Sequence, residues 1–106
     1  MYKRQVVYFD GRLTEGAIVL AREAKKRRGT RVLVEAERLR ENLDELVALA
    51  DAVVTSKTYP SARFPECSSL GDAMMCVLES APDARSVTTT LGARGAVALA
   101  LSLIHI

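Results

Sequence analysis

Histidine is nearly absent from this chain. The one copy, His105, stands next to the last residue. Ser-His and Cys-His nucleophilic catalysis and histidine-based metal sites therefore have almost no material to work with. Cysteine is scarce too. Cys67 and Cys76 fit no metal-ligand spacing, and a pair does not make a disulfide framework. They are expected as free thiols in a reducing compartment, which points to the cytoplasm without excluding an organelle. A large excess of one charge is also missing. A net charge of +2 gives no electrostatic case for nucleic acid. The one basic cluster, Lys25-Lys26-Arg27-Arg28, has no aromatic partners and no second basic stripe. It suits a helix C-terminus, where cations face the negative end of the dipole. No signal-peptide pattern is visible, and the apolar tail over residues 96–106 is about half the ~20 residues of a membrane span. Neither nucleic acid nor membrane is expected as a partner.

What is present is the composition of one small soluble domain. The chain has 106 residues, of which 49% are hydrophobic and 26% charged. Val6-Val7-Tyr8-Phe9 reads as a strand closed by Asp10-Gly11. Thr14 is placed to cap a helix with Glu15 in its first turn, and Ala17, Leu20, Ala21 and Ala24 form its apolar stripe. Gly29 stops that helix, and Arg31-Val32-Leu33-Val34-Glu35 is a second strand. Strand, helix and strand within about thirty residues match a right-handed βαβ unit. The pattern then repeats. Leu43, Leu46, Val47 and Ala50 mark a helix face, and Ala52-Val53-Val54-Thr55 is a third strand. Residues 56–67 hold Pro60 and Pro65 and read as a loop. Ser68 or Ser69 can cap a further helix with the stripe Leu70, Ala73, Met74, Val77 and Leu78, broken at Ala81-Pro82-Asp83. The Met74-Met75 pair reads as core filler.

The last segment organises the rest. Val87 to Thr90 is β-branched throughout and suits a strand. Gly92 and Gly95 then bracket a turn, and a second strand follows. An ordinary hairpin fits this description, and so does a turn that lets a ligand approach the backbone. Strands alternating with helices call for a mostly parallel sheet with helices on both faces, a three-layer, Rossmann-like α/β fold. Ligands of such sheets bind beyond the carboxyl ends of the strands. Asp10-Gly11, the residues 35–38, Ser56-Lys57 and the residues 91–95 should share that edge. Acidic residues there, among them Asp10, Glu35 and Glu37, more readily serve structure than proton transfer.

In order and spacing, these segments resemble the central and nucleotide-side part of PfkB-type carbohydrate kinases, the ribokinase superfamily. Phe9-Asp10-Gly11-Arg12 before a helix is similar to ketohexokinase-like and plant ribokinase-like members. So is Val32-Leu33-Val34-Glu35-Ala36-Glu37-Arg38, followed by a helix over residues 42–50 and then Asp51-Ala52-Val53-Val54-Thr55-Ser56-Lys57. Thr90-Leu91-Gly92-Ala93-Arg94-Gly95 looks like the T-x-G-x-x-G turn that contacts ATP in ribokinases. The likeness covers about residues 6–100 and implies a ribokinase-like fold. It also implies transfer of the γ-phosphoryl of ATP, with Mg²⁺, to a sugar or sugar-like hydroxyl. By that likeness Thr90, Leu91, Gly92, Ala93, Arg94 and Gly95 line the nucleotide site. Ser56 stands where many members carry the Asn of N-x-x-E, here replaced by Ser56-Lys57-Thr58-Tyr59.

The family's catalytic Asp lies in a G-A-G-D motif, which this sequence does not contain. No residue of the chain is therefore assigned as catalytic or as a metal ligand, and the chain alone is expected to be inactive. Residues 1–5 and 101–106 resemble translated adapter sequence at the ends of assembled reading frames. On that reading, residues 6–100 form a partial domain from inside a longer kinase, its missing strands leave a sheet edge exposed, and His105 has no role. A non-catalytic nucleotide-binding module or regulatory paralogue is the alternative. A receiver-type domain fits less well, because Thr55-Ser56-Lys57 offers no phospho-acceptor Asp.

Overall fold

The computed structural model describes residues 5–10, 14–27 and 29–100. The expectations that fall on Gly11, Arg12, Arg28 and both chain ends, His105 included, lie outside them. The element order is β1 (Gln5–Phe9), α1 (Thr14–Lys25), β2 (Thr30–Ala36), α2 (Leu43–Ala48), β3 (Ala52–Thr55), α3 (Tyr59–Arg63), α4 (Leu70–Glu79), β4 (Ser86–Thr90) and β5 (Ala96–Ala100). The five strands form one sheet in the order β1-β2-β3-β4-β5. The first four run parallel, and β5 returns antiparallel to β4, with Thr88 opposite Ala98. The fold is α/β with a mostly parallel sheet, as expected.

The expected third layer is not there among the described residues. Val32, Val34, Ala36, Val53 and Val87 are fully covered and share one core with Ile18, Ala21, Leu46, Val47, Met74 and Val77 of the helices. The alternate strand positions, Val6, Tyr8, Arg31, Leu33, Glu35, Ala52, Val54, Ser86 and Thr88, are exposed or half-buried. The strand order explains this. Each crossover steps to the next strand on the same side, and right-handed crossovers that never reverse lay every helix on one face. The second face needs a reversal in strand order, which periodicity along the chain does not report.

Three local expectations also change. The buried stripe of α1 is Thr14, Ile18, Ala21 and Ala24, whereas Leu20 is 62% exposed. Thr14 is the first helical residue, and its hydroxyl donates to the Glu41 carbonyl at 2.7 Å, tying α1 to the segment before α2. Residues 56–67 are not all loop. Pro60 occupies the first turn of α3, the one place where a helix loses nothing by lacking that N–H. Of the two candidate caps for α4, Ser69 accepts from the Asp72 amide at 3.1 Å.

The amino-terminal edge of the sheet is held by Asp51. Its carboxylate accepts from the Val32 amide at 2.7 Å and from Lys25 at 3.1 Å. Its carbonyl accepts from the Arg85 amide at 2.9 Å, and Lys25 also meets Asp83 at 2.9 Å. One aspartate thus joins β2, the start of β3 and the segment entering β4. This leaves the opposite, carboxyl edge free for a site.

Candidate functional site

The ends of β2, β3 and β4 meet at the carboxyl edge. Ser56 follows β3 directly. Its amide donates to Ala36 at 3.0 Å, and its hydroxyl donates to the Glu37 carbonyl. The same oxygen accepts from the Tyr59 amide at 3.3 Å and lies 3.2 Å from the Thr58 hydroxyl. Ser56 therefore pins the segment leaving β2 and starts α3 at the same time. Thr90, the last residue of β4, donates its hydroxyl to the Thr55 carbonyl at 3.4 Å. Glu35, Glu37, Val54, Thr55, Ser56 and Thr90 line a recess of about 200 Å³. The carboxylates of Glu35 and Glu37 and the hydroxyls of Ser56 and Thr90 surround a volume that admits a small polar group.

Beyond Thr90 the chain turns through a single 3₁₀ turn, Gly92–Arg94. The Leu91 amide donates to Gly95 at 2.7 Å, Arg94 to Leu91 at 3.3 Å and Gly95 to Gly92 at 3.1 Å. The amides of Gly92 and Ala93 are outside these bonds. Gly92 has φ 62° and Gly95 φ 92°, both in the region that residues with a Cβ resist. A Cβ built at either glycine meets nothing within 4 Å. The turn thus closes the β4–β5 hairpin and also stands open to solvent.

Of the residues expected to hold a nucleotide, the structure brings Ser56 and Thr90 together on the recess. Leu91, Gly92, Ala93, Arg94 and Gly95 extend past it and do not line it. Glu35 and Glu37 do line it, where the sequence reading gave them only a place at this edge. They were legible as acidic residues at a strand end, but not as neighbours of Thr90, two strands away. Among the described residues, no group of three or more His, Cys, Asp or Glu side chains could hold a metal ion.

A second groove of about 200 Å³ lies between Leu39, Arg40, Leu43, Asp44, Tyr59, Ala62 and Arg63. Its Tyr59 hydroxyl accepts from Arg63 at 3.3 Å, and the Arg63 guanidinium sits 5.1 Å from the Phe64 ring centre. Burial raises the Tyr59 phenol above its ordinary value, against the opposing pull of Arg63. Reading residues 56–67 as loop hid this groove, because α3 builds one wall. The thiols of Cys67 and Cys76 lie 3.5 Å apart and unbonded. The hydrogen bond to Cys76, with burial and nearby acidic charge, pushes the Cys67 thiol up to about 11. A thiol so raised is a poor nucleophile near neutral pH.

Among the described residues, no helix is long and apolar enough to cross a membrane. No family model matches the chain, and no curated protein matches it.

Proposed function

We propose that this chain is part of an ATP-dependent carbohydrate kinase of the PfkB type, with a ribokinase-like fold, and forms the nucleotide side of its site. The observation that carries the reading is the turn from Thr90 to Gly95. It leaves the carboxyl end of β4 beside the recess, with both glycines at positive φ and no side chain in the way of the backbone. Open α/β sheets take their ligands at this edge, where the strand order reverses; β1 to β5 supply the edge, and the rest of the kinase would supply the reversal.

In this reading Gly92 and Ala93 offer amides to the nucleotide, and the exposed Arg94 offers charge to its phosphates. ATP supplies the phosphoryl group, and Mg²⁺ neutralises charge as it moves. Mg²⁺ in such sites is held by one or two carboxylates, waters and the phosphates themselves. Glu35 and Glu37 are the carboxylates on the recess, so Mg²⁺ would enter with the nucleotide and not into a preformed cage. Ser56 acts through its grip on the Glu37 carbonyl, which holds the recess wall. None of these residues is the base that takes the sugar hydroxyl's proton, so the chain binds and positions but does not turn over. The sugar is recognised elsewhere in the kinase.

The test is a titration of the chain with MgATP, read by backbone amide chemical shifts. Shifts concentrated at Thr90 to Gly95 and around Ser56 are expected. A flat response, or shifts confined to the Arg40–Arg63 groove, overturns the reading. Extending the transcript past Ala100 separates the kinase from a non-catalytic nucleotide-binding module. A Gly-Ala-Gly-Asp segment about thirty residues downstream supports the kinase, and its absence supports the module.

A further inference from the structure

Parallel sheets are normally covered on both faces, because their strands carry apolar residues on both sides. Among the described residues, one face here has no helix. Across it run the rows Val6–Arg31, Tyr8–Leu33–Ala52–Ser86–Ala100 and Glu35–Val54–Thr88–Ala98, each set by the strand register. Val6 is 68% and Tyr8 53% exposed. A shallow, mostly apolar depression of about 350 Å³ opens there between Val6, Arg31, Leu33, Ala52, Arg85 and Ser86. The positions contributed by β4 and β5 are small, which keeps that side of the face flat.

The charges on this face are polarised along the strands. Arg31 and Arg85 stand at the amino end of the depression, beside the Asp51 carboxylate that Lys25 already holds at 3.1 Å, and Glu35 and Glu37 stand at the carboxyl end, around the recess. Apolar residues fill the middle. Such a face complements itself. A two-fold axis lying between two copies, in the plane of the sheets and across the strands, sets the basic end of one against the acidic end of the other. The apolar rows then meet at the centre. We propose that the bare sheet face is the contact between two copies of this chain, packed sheet on sheet with antiparallel strands. Sheets that pack in this way keep their strands within about 30° of alignment.

The size of the face sets the strength. Five strands about 4.8 Å apart, each covering about five residues at about 3.3 Å, give roughly 400 Å² per copy. That is about half the roughly 800 Å² per partner of a standard interface, so the dimer is weak, transient, concentration-dependent and steered by charge. It does not rest on the kinase reading. Because it would close over Glu35, Glu37 and Thr90, its test is made without nucleotide, and its failure leaves that reading where it stands.

The test is sedimentation equilibrium of the 106-residue chain over about 5–500 µM. The expected result is reversible growth from one to two chain masses that weakens as salt rises from about 0.05 to 0.5 M. The double variants Arg31→Glu with Arg85→Glu, and Glu35→Lys with Glu37→Lys, should each weaken self-association at least about tenfold. An equimolar mixture of the two variants should regain the dimer. Circular dichroism checks that each variant is folded, and the salt series on the unaltered chain decides the matter if either is not. A single-chain mass throughout overturns the proposal. So does an assembly that ignores both salt and the charge variants, since pairing through the β5 edge would behave in that way.

Discussion

Thr55 and Thr89 share a hydrogen bond of 2.7 Å between their hydroxyl oxygens, across the paired strands β3 and β4. At 1% and 0% exposure neither side chain meets water. This polar link lies in the core directly below the recess, where every neighbouring strand position on that face is apolar. Replacing one partner strands the other. Thr89→Val is expected to cost about 1–3 kcal/mol, whereas Thr55→Val combined with Thr89→Val costs much less than the sum of the single changes. Urea unfolding of the three variants measures the coupling.

The Lys25–Asp51 pair gives a pH signature. Partial burial pulls the Lys25 ammonium down, but hydrogen bonds to Asp83 and Asp51, and their charges, outweigh it and raise its pKa above the ordinary 10.5. A group raised on folding stabilises the fold fully below its unfolded pKa, and the gain is lost as pH rises through the folded one. Lys25→Met is therefore expected to lose about 1–2 kcal/mol at neutral pH, a deficit that narrows above pH 10.5. Asp51→Ala also frees the Val32 amide and should cost about 2–3 kcal/mol. Unfolding midpoints followed from neutral to alkaline pH test both.

Cys67 should be slow to alkylate. With its thiol near 11 instead of 9.0, it carries roughly one hundredth of the ordinary thiolate at pH 8. Cys76→Ala removes the principal cause and should accelerate iodoacetamide modification of Cys67 by a factor of ten or more. Mass spectrometry of timed aliquots reads the rate directly. Equal rates in the two proteins would mean that the thiols do not meet.

The two glycines of the β4–β5 turn should differ in tolerance. Gly92, at φ 62°, departs less than Gly95 from the φ values that asparagine tolerates. Gly95, at φ 92° and ψ −134°, is in a region nearly reserved for glycine, and its carbonyl closes the turn with Leu91. Gly92→Asn should cost less than about 1 kcal/mol and Gly95→Asn about 1–3 kcal/mol. No packing term intrudes, because neither position is crowded. Thermal unfolding of both variants checks the ranking.

Local chemistry determined much of this protein. Gly29, at φ 84°, follows the end of α1, Ser69 caps α4, and the apolar runs at residues 31–35 and 52–55 are strands, because each signal lies within a few residues of its effect. The stripe of α4 was legible for the same reason. The phase of α1 was not. Val19 and Leu20 are as apolar as Ile18, and only the position of the helix over β1 and β2 selects Ile18 for burial. The recess was half legible: Ser56 and Thr90 each stand at a strand end, but their meeting with Glu35 and Glu37 depends on the order in which β2, β3 and β4 pair. Tertiary structure alone decided that the helices cover one face. An alternating pattern reports that a strand has two kinds of neighbour, whereas the direction in which successive crossovers step is set by pairing between distant segments, which no local pattern encodes.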